Sequence, residues 1–168
     1  MQLARLYRAR RSAIAFAAGL GLLLAGLGVG GMVGAFGVQR AARRLGEEGL
    51  LAAGLAVSGL TLLLLAGRVG LATVGLAGLL LGAAVAAARI GFESLVQHEV
   101  APPARGGAIT RAETAFQLAW VAGAVLPVAL PLPTDPSLVA GGVACLAGSL
   151  AYLAARSRVG QVARPDRG

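Results

Sequence analysis

Five polar or aromatic side chains interrupt the apolar stretches of this sequence and could recognise a solute or carry a charge. Arg89 and Glu93 are four residues apart, so they can form an ion pair on one helix face. Glu113, Gln117 and Trp120 follow at spacings of four and three and share one face of a later helix. Polar side chains within apolar helices usually face a bundle interior or a water-filled cavity. These five residues are therefore the candidates for a transport pathway.

Both charged regions also have a purely structural explanation. Arg89 lies close to the end of its apolar stretch and can extend toward lipid headgroups while it pairs with Glu93. Glu113 lies in the first turns of its helix, and that helix could begin in water and leave the carboxylate solvated. The sequence leaves these alternatives open.

Other kinds of site lack candidates. The apolar stretches contain no Ser/His or Asp/Asp constellation for nucleophilic or acid–base catalysis, so we predict that the protein is not an enzyme. No glycine-rich phosphate loop is present, which argues against direct coupling to ATP. With Cys145 as the only cysteine and His98 as the only histidine, the sequence predicts no intrachain disulfide, no metal site and no cofactor.

The composition predicts that the candidate side chains belong to a membrane protein. Hydrophobic residues make up 57% of the chain and charged residues 13%, whereas globular chains are about a quarter charged. The mean hydropathy is +0.79, and the apolar residues form long runs instead of one stripe per helix. We therefore predict an all-α fold, a polytopic transmembrane helix bundle in a lipid bilayer.

Five apolar stretches are long enough to cross a bilayer core, which takes roughly 20 helical residues. The predicted spans are residues 13–36, 48–66, 70–93, 108–131 and 136–155. A basic N-terminal segment, residues 1–12, precedes these spans, and a polar C-terminal tail, residues 156–168, follows them.

Glycines indicate where these helices pack closely. Gly26, Gly30 and Gly34 recur at intervals of four in the first span, so they share one face and allow a neighbouring helix to approach. In the fourth span, Gly123 is a further packing candidate, and Pro127 should kink the helix near its outer end.

The net charge of +8 comes from arginine alone, because the chain has no lysine. The arginines lie mainly in the gaps between apolar stretches and aromatics are only 4%, so the charge indicates membrane topology and not nucleic-acid binding. A cytoplasmic C-terminus places nine arginines inside, namely Arg40, Arg43, Arg44, Arg105, Arg111, Arg156, Arg158, Arg164 and Arg167. It places five outside, namely Arg5, Arg8, Arg10, Arg11 and Arg68. We predict a multi-pass cell-membrane protein with a cytoplasmic C-terminus, although the N-terminal arginines oppose this orientation.

Two segments resemble signatures of the major facilitator superfamily (MFS) of transporters. The segment from residue 97 to 127 is similar to the loop and helix before the last helix of each MFS half, through Pro102, Arg105, Gly106, Ala108, Gly123 and Pro127. The hairpin after the first span is similar to the basic loop of these proteins in its weaker, second-half form, through Gly34, Arg40, Arg43, Arg44 and Gly46. The acidic residue of the stronger form is missing from this hairpin, where Gly37 and Val38 stand.

The order of spans over residues 13–155 looks like the last five helices of an MFS transporter. The resemblance implies secondary transport of a small solute, with efflux as one direction, by alternating access between two six-helix bundles. It also implies coupling to protons, for which Glu93 and Glu113 are the acids near the membrane. Since the chain has fewer than six spans, it is expected to be partial or truncated. It would then work with a missing N-terminal helical half or as a homo-oligomer.

A second hypothesis from a different functional class fits the same sequence. The chain could be a small, non-transporting multi-pass membrane protein that packs against a partner through its glycine-rich helix faces. A purified chain of that kind would form a homogeneous assembly and bind no solute.

Overall fold

The computed structural model describes residues 2–130 and 133–162, and every regular element in those ranges is an α-helix. The helices are α1 (Gln2–Leu65), α2 (Leu71–Glu99), α3 (Pro102–Ala129) and α4 (Thr134–Val162). The predicted all-α class is confirmed. The fifth predicted span was expected to end at residue 155, but its helix continues to Val162, so the first part of the predicted polar tail is helical.

The longest helix, α1, is divided in two by Gly46. This residue has φ 72° and ψ 170°, a backbone conformation that is essentially restricted to glycine. We call residues 2–45 the N-limb of α1 and residues 47–65 its C-limb. A straight helix of 64 residues would extend roughly 96 Å, about three times the thickness of a bilayer core. The bend at Gly46 instead allows the chain to reverse its direction.

The N-limb runs parallel to α2 and meets it through glycine. A Cβ atom at Gly26 would lie 2.6 Å from a backbone oxygen of α2, and one at Gly34 would lie 2.5 Å from the Ala83 oxygen. Between them, Gly30 lies against the backbone of Leu79. Because any side chain at these positions would collide with main-chain atoms, the face that carries these three glycines is the contact face of the N-limb.

The C-limb runs antiparallel to the same helix. A Cβ atom at Gly91 would lie 3.0 Å from the Glu47 oxygen at the start of the C-limb. Farther along, a Cβ atom at Gly54 would lie 2.9 Å from the Cβ atom of Ala88. Since the two limbs follow α2 in opposite directions, α1 forms a hairpin around Gly46 with α2 packed against both limbs.

The other two helices are attached to different sides of this unit. Within the described ranges, α4 contacts only α1 and α3 contacts only α2. A Cβ atom at Gly59 would lie 2.8 Å from the Gly142 oxygen, and the buried Ser149 hydroxyl donates a 2.8 Å hydrogen bond to the Ala52 oxygen. These contacts place α4 antiparallel to the C-limb.

Contacts at the helix termini define two opposite ends of the bundle. Arg156 of α4 forms an ion pair with Glu48, beside Gly46, and we call this the Gly46 end. The Gly67 amide, between α1 and α2, donates a 3.2 Å hydrogen bond to Asp135 Oδ1 of α4, and we call this the Gly67 end. The bend of α1 and the end of α4, which lie beside predicted cytoplasmic arginines, thus meet at the Gly46 end. The turn between α1 and α2, which carries the predicted outer Arg68, meets the start of α4 at the Gly67 end.

Three of the described helices are long and apolar enough to cross a membrane, by length and composition. These stretches are Ala13–Leu65, Leu71–Glu99 and Thr134–Ser157. The first of them contains two predicted spans, because α1 includes both limbs. The predicted fourth span is not among them in the described residues, and α3 carries Arg105, Arg111 and Glu113 in its first half. The number of five spans stays a prediction.

The connector between α2 and α3 is shorter than the polar, proline-bearing segment predicted from residue 97 onward. The second helix continues to Glu99, and the third begins at Pro102, which leaves only Val100 and Ala101 between them. Proline suits the first turn of a helix because the amide groups there have no intrahelical partner. The two prolines therefore start α3 instead of extending the loop.

Small residues, together with Val38, Leu50 and Val96, build the buried interior of the bundle, and many large apolar side chains point outward. Ala77 and Ala84 are buried, whereas Phe36 is 84% exposed and Leu150 is 68% exposed. No large side chain in the described part of the chain is fully buried. Soluble monomers rarely expose apolar surface on this scale, and membrane helices commonly pack through small residues. The arrangement is that of helices whose outer surface meets lipid.

Candidate functional site

An open cavity of about 460 Å³ lies between the C-limb of α1, α2 and α3. Small-molecule sites in proteins measure about 300–1,000 Å³, so this cavity has the size of a solute site. Its wall is mostly apolar, and its polar groups come from Ser58, Arg89, Glu113 and Gln117. Trp120 contributes an aromatic ring from α3.

One wall of the cavity is made where the C-limb and α2 touch. A Cβ atom at Gly54 would lie 2.9 Å from the Ala88 Cβ atom and 3.0 Å from the Ala84 oxygen. All three residues line the cavity. Because the two helices meet almost backbone to backbone, this wall is closely packed. The opposite wall is α3, which is attached to α2 alone.

Arg89 connects carboxylates on two helices. Its Nε atom donates a 3.1 Å hydrogen bond to Glu93 Oε1 on α2, and its Nη2 atom donates one of 3.2 Å to Glu113 Oε2 on α3. The other oxygen of Glu113 accepts a 3.3 Å hydrogen bond from Gln117 Nε2. Both oxygens of Glu113 thus accept hydrogen bonds.

We call Arg89, Glu93 and Glu113 the Arg89 cluster. With one guanidinium and two carboxylates, the ionised cluster carries a net charge of −1. The three side chains are 60%, 44% and 42% exposed, respectively, so a molecule in the cavity could reach them. Across the residues that the structure describes, no three His, Cys, Asp or Glu side chains are grouped closely enough to hold a metal ion.

Aromatic rings complete the contact between α2 and α3. The rings of Phe92 and Phe116 meet edge to face, with centroids 6.2 Å apart and planes at 88°. Phe116 also lines the cavity beside Trp120, and these two residues are 56% and 77% exposed. The cavity is therefore an open cleft with an accessible aromatic wall.

All five side chains singled out in the sequence lie together at this cleft. Arg89, Glu113, Gln117 and Trp120 line it, and Glu93 lies behind Arg89 as its hydrogen-bond partner. Arg89 forms the predicted ion pair with Glu93 and also lines the cavity. Pairing with Glu93 and a position at the cavity are therefore compatible for this residue. Glu113 is half-exposed and faces the cleft. A role of these residues in transport stays a prediction.

Sequence reasoning missed Phe92, Phe116 and Ser58. Phe116 follows Glu113 by three residues and precedes Trp120 by four, so its helical spacing already assigned it to the same stripe. Phe92 and Ser58 belong to other helices, and only the packing of three helices brings them to the cleft or its edge.

The residues of the MFS-like hairpin lie near the Gly46 end in different environments. Gly34 packs against α2, and Gly46 makes the bend of α1. Arg40, Arg43 and Arg44 are exposed on the last turns of the N-limb. The hairpin is therefore a sharp break between two helices and not a loop of several residues.

The residues of the second MFS-like segment make few contacts. Arg105 Nε donates a 2.8 Å hydrogen bond to the Val100 oxygen, across the short connector. Cβ atoms at Gly106 and Gly123 would meet nothing within 4 Å, so the predicted packing contact at Gly123 is not formed by the described residues. Helix α3 continues through residue 127, and the side chain of Pro127 lies outside the described part of the structure.

Comparison with known proteins finds no significant match to a family model, to a characterised protein or to a solved structure. The resemblance to MFS transporters therefore rests on the residues quoted from the sequence. Any statement about function rests on the cleft and on the membrane-like packing of the helices.

Proposed function

We propose that this chain is an integral cell-membrane protein that carries out secondary transport of a small solute by alternating access, in the manner of MFS transporters. The cleft supports this proposal, because it combines a volume of about 460 Å³ and a mostly apolar wall with a few convergent polar groups. A charged side chain at the centre of a membrane helix costs about 2.5–3.5 kcal/mol on insertion scales. Charges placed at a cavity are therefore most simply explained by a functional role. Glu93 and Glu113 are the acids for proton coupling.

The proposal includes five membrane crossings, one for each limb of α1 and one for each remaining helix. The third helix starts at the Gly46 end, where α2 finishes, and it precedes α4, which starts at the Gly67 end. A helix of 28 residues is about 42 Å long, which is enough to cross a bilayer core of about 30 Å. These positions support a crossing by α3 between those of α2 and α4.

We also propose that further helices complete the wall of the cleft. Trp120 is 77% exposed, and the neighbouring Gly123 meets nothing within 4 Å. Alternating access in MFS-type carriers requires two bundles that rock against each other. The additional helices would come from an N-terminal helical half on another polypeptide or from a second copy of this chain.

Solute movement can be tested in sealed membrane vesicles from cells with and without this chain, since native membranes retain any partner. We expect gene-dependent accumulation of at least one class among radiolabelled sugars, amino acids, organic anions and organic cations, driven by an imposed pH gradient. Replacement of Trp120 by alanine should reduce that accumulation at least tenfold, because it removes a large part of the α3 wall of the cleft. Equal accumulation in both vesicle preparations, for every class, would contradict transport.

Orientation is tested by labelling single cysteines in a Cys145→Ala background with a membrane-impermeant maleimide. Leu45 at the Gly46 end is 51% exposed and Val69 at the Gly67 end is 60% exposed, so both accept a small polar replacement. We expect Val69→Cys to react in intact cells and Leu45→Cys to react only after permeabilisation. The reverse pattern would invert the proposed orientation, and reaction of both in intact cells would contradict a membrane crossing between them.

One observation favours the non-transporting alternative. Besides the glycines that face α2, the N-limb carries Gly19, Gly21, Gly28 and Gly31, and Cβ atoms there would meet nothing within 4 Å. These positions leave room for a partner helix to approach closely. The alternative predicts one homogeneous assembly in detergent together with no gene-dependent solute movement in the vesicle assay.

A further inference from the structure

We infer that the cleft takes a hydrophobic organic cation with a single positive charge, an inference that rests on the proposed function. The first reason is charge. The Arg89 cluster has one positive and two negative groups, so it carries an uncompensated negative charge at the wall of an apolar cavity. In a medium of low polarity such a charge attracts a counter-ion more strongly than it does in water.

Among the side chains that the structure describes, no arginine outside the cluster contributes to the lining of the cleft. Arg111 precedes Glu113 by two residues, so it points to a different face of α3, where it is exposed. Arg105 donates to the Val100 oxygen. Arg89 and Glu113 line the cleft and Glu93 pairs with Arg89 from behind, so the net negative charge of the cluster lies next to the cleft, and an anionic solute would be repelled.

The second reason is the chemistry of the wall. Phe116 and Trp120 present accessible rings beside Glu113 and Gln117. Aromatic faces attract cations through the ring quadrupole, by about 0.5–1 kcal/mol at exposed sites and about 2 kcal/mol or more where water is excluded. Apart from the cluster, the described lining offers hydrogen bonds only from Ser58, Gln117 and the indole N–H of Trp120. That is too few for a sugar or another polyhydroxylated solute.

A matched pair of probes separates charge from shape. Tetraphenylphosphonium and tetraphenylborate have nearly the same size and shape and opposite charges. Trp120 is the only tryptophan of the chain, so its fluorescence in the full-length protein, purified in an uncharged detergent, reports binding at the cleft itself. We expect the phosphonium ion to quench this fluorescence saturably and to bind at least tenfold more tightly than the borate ion. Equilibrium dialysis of the labelled cation should give the same affinity.

The carboxylates should set this preference. Glu113→Gln keeps the shape of the side chain and brings the cluster to neutrality, so we expect about tenfold weaker binding of the phosphonium ion, equivalent to about 1.4 kcal/mol. Glu99→Gln removes the same charge at the exposed end of α2, outside the cleft, and should leave the affinity unchanged. If Glu113→Gln fails to fold, Glu93→Gln makes the same change of charge at the other carboxylate of the cluster, which does not line the cavity.

The possible outcomes separate this inference from the proposed function. Equal binding of both ions, tighter binding of the borate ion, or an unchanged affinity in a folded Glu113→Gln protein would overturn the selection of cations and leave a solute cleft in place. If neither ion gives saturable quenching, the inference is overturned, and the vesicle assay decides independently whether the protein moves another class of solute.

Discussion

Replacement of Gly30 by valine should separate the N-limb of α1 from α2 and strongly lower the stability of the purified protein. The glycine lies against the backbone of Leu79, so a new side chain would meet main-chain atoms that cannot turn away. Inserting extra carbons into a packed interior typically costs about 1–3 kcal/mol. At a contact between two backbones we expect at least about 3 kcal/mol, the top of that range. Thermal unfolding of the helices in detergent, followed by circular dichroism, measures the loss.

The adjacent residue supplies the control for this experiment. A Cβ atom at Gly31 would meet nothing within 4 Å, so Gly31→Val makes the same chemical change on an open face of the same helix. Since valine favours helix over glycine, the control should be neutral or slightly more stable in an isolated chain. A similar loss of stability in both variants would contradict packing of the N-limb through Gly30. A loss confined to Gly31→Val in membranes would instead identify the open face as a partner interface.

Replacement of Arg89 by alanine should detach α3 from α2. The guanidinium is the only group in the Arg89 cluster that compensates the two carboxylates, and without it Glu93 and Glu113 repel each other across the helix contact. An uncompensated charge within a membrane helix costs up to about 3 kcal/mol, and less toward the helix end. We expect about 1–3 kcal/mol here, which corresponds to roughly a 5- to 150-fold loss of the docked state of α3.

Joining of Phe92→Cys and Phe116→Cys by a short thiol-reactive crosslinker, in a Cys145→Ala background, measures docking of α3, since the native rings meet edge to face with centroids 6.2 Å apart. The yield should fall in Arg89→Ala and recover when Glu93 and Glu113 are also changed to glutamine, because no pair of like charges then remains at the helix contact. The matched control is Arg111→Ala, which removes an exposed arginine of α3 outside the cleft. An undiminished yield in Arg89→Ala would show that the Arg89 cluster does not hold α3 against α2.

These two predictions concern contacts of different kinds. The limbs of α1 meet α2 through glycine and alanine, with backbones almost in contact. Helix α3 meets α2 through long polar and aromatic side chains and has no second helix against it in the described ranges. A transport cycle that opens and closes the cleft would move the loosely held wall, so α3 is the helix whose position should respond to a bound solute.

Several features of this protein follow from its sequence alone. Long apolar runs with few charges require helices solvated by lipid, because a bilayer core satisfies no exposed backbone group. The spacing of four between Gly26, Gly30 and Gly34 defines one smooth helix face, and that face is the one packed against α2. The spacing of Glu113, Gln117 and Trp120 likewise assigns them to one stripe. Periodicity determines such local relations because the geometry of a helix is fixed.

Tertiary structure decided what these faces meet. The sequence predicts a hairpin that ends at Gly46, but only the structure shows that this residue, with φ of 72°, makes a single bend between two helices. The hydrogen bond from Arg89 to Glu113 joins residues 24 positions apart. It depends on the direction in which the two-residue connector places α3 relative to α2. Helical spacing relates residues along one helix, whereas the choice of neighbouring helix depends on backbone approach at a few glycines and on the direction of each turn. The cleft forms only where the C-limb of α1, α2 and α3 pack together.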